Sequence, residues 1–98
     1  MTAAAWSAEE SPRIARLYRF QWEAAQNGYV LLFPEGMVQL NGPAGEILSR
    51  CDGRRSARQI IDELKQAFEA EEIEAEVLAF LQTATRDGWI EWHPAAAT

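Results

Sequence analysis

A chain of 98 residues with 48% hydrophobic and 10% aromatic content is long enough for one core and too short for two domains. Its net charge of −6 and pI near 4.7 argue against nucleic acid as a partner, because that binding rests on cationic contacts with phosphate. A single cysteine forms no internal disulfide, no run approaches the roughly 18 apolar residues of a membrane span, and no basic segment precedes an apolar one at the N-terminus. The expected location is therefore the cytoplasm, with no membrane contact. Residues 1–11 are small or polar and lack periodicity, which predicts a disordered tail in which Trp6 is the exception; residues 93–98 read as a second tail. One domain over residues 12–92 is expected.

Tyr18, Phe20 and Trp22 alternate with Arg19, Gln21 and Glu23, the period of two of a half-buried strand over residues 17–23. Asn27-Gly28 tolerates positive φ, so a hairpin leads into the apolar run over residues 29–33. Pro34, Glu35 and Gly36 make a second turn. Residues 37–40 form a third strand at the edge of the sheet, with unpaired backbone groups along its outer side. Asn41 is a good N-cap for a helix carrying Ala44, Ile47, Leu48 and Cys51 on one stripe and stopping at Gly53. Cys51 reads as a buried structural thiol.

Ser56 caps a second helix with Ile60, Ile61, Leu64 and Phe68 on its apolar face, ending near residue 68. A third helix over residues 73–86 puts Val77, Phe80, Leu81 and Ala84 on one stripe, with Gly88 ending it and Trp89, Ile90 and Trp92 as a short apolar coda. The acidic run over residues 69–76 is a solvated loop and helix start, or a device for steering a basic partner. The predicted fold is α+β: a three-stranded antiparallel sheet followed by a three-helix bundle, winged-helix-like. As a DNA reader it fails, since Arg58 and Lys65 of the second helix are opposed by Asp62 and Glu63.

Residues for catalysis are missing. His93 has no Cys or His partner for a metal, no base stands beside Ser49, Ser56 or Cys51, and no glycine loop could cradle a phosphate. The paired carboxylates Asp62 with Glu63 and Glu71 with Glu72 sit in polar settings that raise no pKa. No catalytic residue and no cofactor are expected. The free edge of the third strand is the place for function, and it predicts a binding module.

Pro12-Arg13, LLFPEGMVQLN over residues 31–41, ILSRCDG over 47–53, IIDEL over 60–64 and GWI over 88–90 follow one another in an order that resembles a known family. The chain is similar to PqqD, the pyrroloquinoline quinone (PQQ) biosynthesis protein D family, whose fold also serves as a recognition element for ribosomally made precursor peptides. The resemblance implies a peptide chaperone that binds the precursor PqqA and presents it to the radical SAM enzyme PqqE. It further implies that the precursor's leader adds as a strand against the third strand, flanked by the last helix. Gly36, Met37, Val38, Gln39, Leu40 and Asn41 would then form the edge, with Val77, Leu78, Leu81 and Thr85 lining the groove. Of the strand residues, Val38 and Leu40 are the pair expected to point into the core. Asn41 is most simply a helix cap, and Asp52-Gly53 a helix end.

Arg54, Arg55 and Arg58 form a local basic patch, most simply a solvated face and otherwise a contact with an acidic part of the precursor or the enzyme. Two readings compete with the chaperone. Trp22, Trp89 and Trp92 could line an aromatic pocket for a planar quinone. Alternatively, the edge pairs with a second copy, with Gly42-Pro43 as a hinge for a strand-exchanged homodimer in crystals.

Overall fold

The structure is a computed structural model that describes residues 6–94. The expected tails at 1–5 and 95–98 lie outside the described residues. The fold is α+β: strand β1 (Ser11–Ile14), then β2 (Arg19–Glu23), β3 (Gly28–Phe33) and β4 (Gly36–Gln39), helices α1 (Gly42–Leu48), α2 (Ala57–Phe68) and α3 (Glu74–Arg86), and strand β5 (Ile90–His93). Among the described residues, no helix is long and apolar enough to cross a membrane.

The sheet has the order β2-β3-β4, antiparallel throughout, with Phe20 opposite Leu31 and Leu31 opposite Val38. Asn27 takes the positive φ, +53°, that its hairpin turn needs. Side chains alternate across the sheet. Tyr29, Leu31, Phe20, Val38 and Leu40 face the helices, where Leu31 is fully buried in the core and Val38 and Leu40 pack against it. The opposite face carries Arg19, Leu32 and Met37 in one cross-strand row, and Gln21, Val30 and Gln39 in the next.

Asn41 caps α1: its Oδ1 accepts from the Ala44 N–H at 2.8 Å. This helix buries Ala44, Gly45, Ile47 and Leu48. Gly45 lies against Tyr29, so that a Cβ there would stand 2.8 Å from the ring's Cδ2, while Tyr29 itself stacks on Phe20 and meets Trp22 edge-on. Gly45→Ala should therefore destabilise by about 1–3 kcal/mol, even though alanine is the better helix former by about 1 kcal/mol. A lower urea midpoint in equilibrium unfolding checks this.

The helix ends at Leu48 with Ser49 as its C-cap, not at Gly53, and Cys51 is buried in the loop beyond. Asp52 and Gly53 have another task. The Asp52 carboxylate accepts from the backbone N–H of Arg54 and Arg55, and Gly53, at φ +80°, donates its N–H to the Pro12 carbonyl at 2.9 Å. The loop is thereby fastened to β1.

Helix α2 opens with a reciprocal capping box between Ser56 and Gln59 and buries Ala57, Ile60, Ile61 and Leu64. Phe68, expected on that buried face, is 50% exposed. A 3₁₀ turn (Glu71–Ile73) leads into α3, which buries Val77, Leu81 and Ala84. Its end is a Schellman motif: Gly88 at φ +80° donates to the Thr85 carbonyl and Trp89 to that of Ala84.

The N-terminal segment departs from the expected tail. From Trp6 onward it packs on the body: the Trp6 ring stacks on Trp92 at 4.2 Å and 5°, and the carbonyls of Glu10 and Ala8 accept from the first two N–H groups of α2, Ala57 and Arg58. Strand β1 then pairs antiparallel with β5, Ser11 opposite His93 and Pro12 opposite Trp92. The terminal coda and part of each expected tail thus form a second, two-stranded sheet, in which His93 has a place. The capping box takes the N–H groups of Ser56 and Gln59, and the extended strap supplies acceptors for the two helix donors left over, Ala57 and Arg58.

Candidate functional site

Strand β4 is an edge, and its register states which groups are free. Leu40 N–H donates to the Tyr29 carbonyl at 3.1 Å, so Leu40 and Tyr29 are a hydrogen-bonded pair. Alternation along an antiparallel ladder then makes Val38–Leu31 and Gly36–Phe33 the other hydrogen-bonded pairs. Consequently the N–H and C=O of Met37 and Gln39 point away from the sheet. An extended peptide laid alongside would find two donors and two acceptors at strand spacing.

At its C-terminal end this edge runs into a groove of about 560 Å³. One wall is the start of α1, from Asn41 to Ile47. Leu64 and Phe68 of α2 close one side, and Ile73, Glu76, Val77 and Phe80 form the wall opposite Asn41. The lining is apolar, with Glu46 and Glu76 as its charged members. The size and character suit two or three apolar side chains. Half-exposed Phe68, costly to leave in water without a purpose, is part of it.

The expected site residues separate accordingly. Gly36, Met37, Val38, Gln39 and Leu40 form the edge strand and its exit; Val38 and Leu40 point inward, and Met37 and Gln39 are exposed. Asn41 and Val77 line the groove, Asn41 with its side chain engaged in the cap. The other three helix residues lie outside the lining of this groove. Leu81 is fully buried in the core, and Leu78 packs against that core outside the groove lining. Thr85 Oγ1 donates to the Leu81 carbonyl at 2.7 Å and accepts from Trp92 Nε1 at 2.9 Å. Ile73, Glu76 and Phe80 hold the groove face instead. Helical period puts Phe80 and Phe68 on core stripes, because period alone does not tell a core position from a groove wall one turn away.

The arginine cluster is largely neutralised. Arg55 reaches Glu63 at 3.0 Å and Asp52 at 3.6 Å, Arg58 reaches Glu74 at 3.5 Å, and only Arg54 of the three lacks an ion pair among the described residues. Lys65 and Arg58 together hold the Glu74 carboxyl below its ordinary range, the Lys65 hydrogen bond foremost. Burial pushes the Asp52 carboxyl up, but the N–H groups of Arg55 and Arg54 and the Arg55 charge outweigh it, leaving the net shift downward. The tryptophans do not converge: Trp22 meets Tyr29, Trp89 meets Phe80, and Trp92 meets Trp6.

Burial, with the Asp52 charge adding to it, pushes the Cys51 thiol from 9.0 up to about 12. The folded state therefore holds this proton more tightly than the unfolded one. Its contribution to stability is complete below about pH 9 and is lost as pH rises toward 12. Cys51 should resist Ellman's reagent in the native protein at pH 8 and react fully in denaturant, and Cys51→Ala should flatten the alkaline fall in unfolding midpoint.

The family model described as "Coenzyme PQQ synthesis protein D (PqqD)" matches residues 28–90. A "PqqA binding protein" of Azotobacter vinelandii is 51% identical over 83 residues, 84% of this chain and 90% of that one. One from Pseudomonas aeruginosa is 48% identical over 86 residues, 87% of this chain and 94% of that one. Among solved structures, the solution structure of the PqqD truncation of Methylobacterium extorquens PqqCD matches with a TM-score of 0.72 and 32% identity. The match covers 90% of this chain and 96% of that one, which is described as a functional, stand-alone RiPP recognition element. A family match over most of the chain, relatives near half identity and a shared fold make this chain a member of the PqqD family.

Proposed function

We propose that this chain is a peptide chaperone of PQQ biosynthesis that binds the precursor PqqA and presents it to the radical SAM enzyme PqqE, working in the cytoplasm without catalysis of its own. The observation that carries the reading is the pair of outward-facing residues, Met37 and Gln39, on an edge that leads into the apolar groove. A leader segment adds as a strand along β4, and its apolar side chains drop between α1 and α3. Glu46 and Glu76 at the groove favour a basic residue on that segment. Ordering the flexible precursor lowers the entropy lost when the enzyme engages it. The names of the relatives, PqqA binding proteins, support the same partner.

Calorimetric titration with synthetic PqqA tests the proposal, with the finished quinone as parallel ligand. Peptide binding without quinone binding is expected. Quinone binding alone would overturn it. A second copy pairing through β4 would compete for the same edge, so gel filtration should show any dimer dissociating as PqqA is added.

A further inference from the structure

The face of the three-stranded sheet turned away from the helices carries a feature that peptide binding does not use. Leu17, just before β2, is 72% exposed and lines, with Arg16, Arg19 and Leu32, a shallow depression of about 300 Å³ at the end of the β2–β3 pair, where Tyr18, Phe33 and Pro34 close its other side. Arg19, Leu32 and Met37 stand in one cross-strand row, and Met37 is itself 42% exposed. An apolar strip thus crosses from Leu17 to the free edge.

Its charge is unusual for this chain. Among the described residues Arg13, Arg50, Arg55, Arg58, Lys65 and Arg86 each reach a carboxylate, which leaves Arg16, Arg19 and Arg54 without one. Two of those three flank the strip on a protein of net charge −6. Glu35, in the turn after β3, is the carboxylate nearest in sequence to the strip's far end, and it makes no ion pair with either arginine. Free cations around exposed apolar side chains complement an acidic surface with an apolar centre.

We propose that this outer face docks the peptide-modifying enzyme through an acidic, apolar-centred surface of that enzyme. This deepens the chaperone reading and rests on it for the choice of partner. A peptide added along β4 fills the edge and the groove, so the enzyme must approach from a face that remains open. The row ending at Met37 continues into the added strand, and one flat surface then offers the enzyme both carrier and peptide.

The test uses the triple variant Arg16→Glu, Arg19→Glu, Leu17→Asp, with Arg86→Glu at the end of α3 as a charge reversal off the strip. All four residues are exposed, and unchanged melting curves verify folding. Binding to PqqA is measured by calorimetry, and binding to PqqE with and without peptide at two salt concentrations. PqqA affinity should stay within about twofold, while PqqE affinity falls roughly tenfold or more in the triple variant with a flatter salt dependence, and Arg86→Glu binds PqqE as the parent does. Unchanged PqqE affinity in the triple variant, or an equal loss in Arg86→Glu, would overturn the docking face. A parent chain that binds PqqA but never PqqE would overturn both this inference and presentation; one that binds PqqE but not PqqA would overturn strand addition and leave the docking face standing.

Discussion

Proline in place of Gln39 should weaken PqqA binding by roughly ten- to a hundredfold and leave stability little changed, whereas proline in place of Val38 should strongly destabilise the fold. The two positions are neighbours on one strand, yet their N–H groups point in opposite directions. Gln39 N–H faces away from β3, as the Leu40–Tyr29 bond and the register require. Its loss costs the sheet no ladder bond, but it removes one donor from the incoming strand and sets a ring against it. A net hydrogen bond is worth about 1 kcal/mol, and the ring also disturbs its neighbours. Val38 N–H belongs to the ladder with Leu31, and its side chain packs on the core, so proline there should cost about 3 kcal/mol or more. Calorimetry for affinity and urea denaturation for stability separate the two effects. Equal peptide affinity in Gln39→Pro would remove β4 as the binding edge.

The second large effect concerns the N-terminal strap. Trp6→Ala should lower stability by about 2 kcal/mol, and deletion of residues 1–10 by more, because the deletion also strips the acceptors from Ala57 and Arg58 at the start of α2. On a small domain with about 5–15 kcal/mol in total, that is a large fraction. Trp92 loses its stacking partner but keeps its hydrogen bond to Thr85, so near-ultraviolet circular dichroism should change even where helix content does not. Thermal denaturation with the same midpoint in the deletion and the full chain would mean that the strap contributes nothing.

Local signals made most of the body legible. The alternation around Phe20, the Asn27 turn, the Asn41 and Ser56 caps and Gly88 all act within a few residues of where they stand, and each is found in the structure. Strand β1 gave no such signal. Its four residues include a proline and no alternation, and its partner is remote: Arg13 and Glu91 are 78 positions apart. Gly53 misled for a related reason. Its positive φ was readable, but the turn that needs it serves a contact with Pro12 rather than the end of α1. The groove was half legible. The edge follows from strand order, whereas the face of α3 depends on where α1 and α2 close around it, and a stripe of apolar residues at helical period does not state that.

Amide hydrogen exchange, read residue by residue with and without PqqA, tests strand addition most directly. In the free protein the N–H groups of Met37 and Gln39 should exchange much faster than those of Val38 and Leu40, which belong to the ladder. Saturating peptide should protect Met37 and Gln39 and leave the alternation along β4 erased. If the peptide binds while Met37 and Gln39 continue to exchange as fast as before, the precursor lies elsewhere and the edge of β4 is not its site.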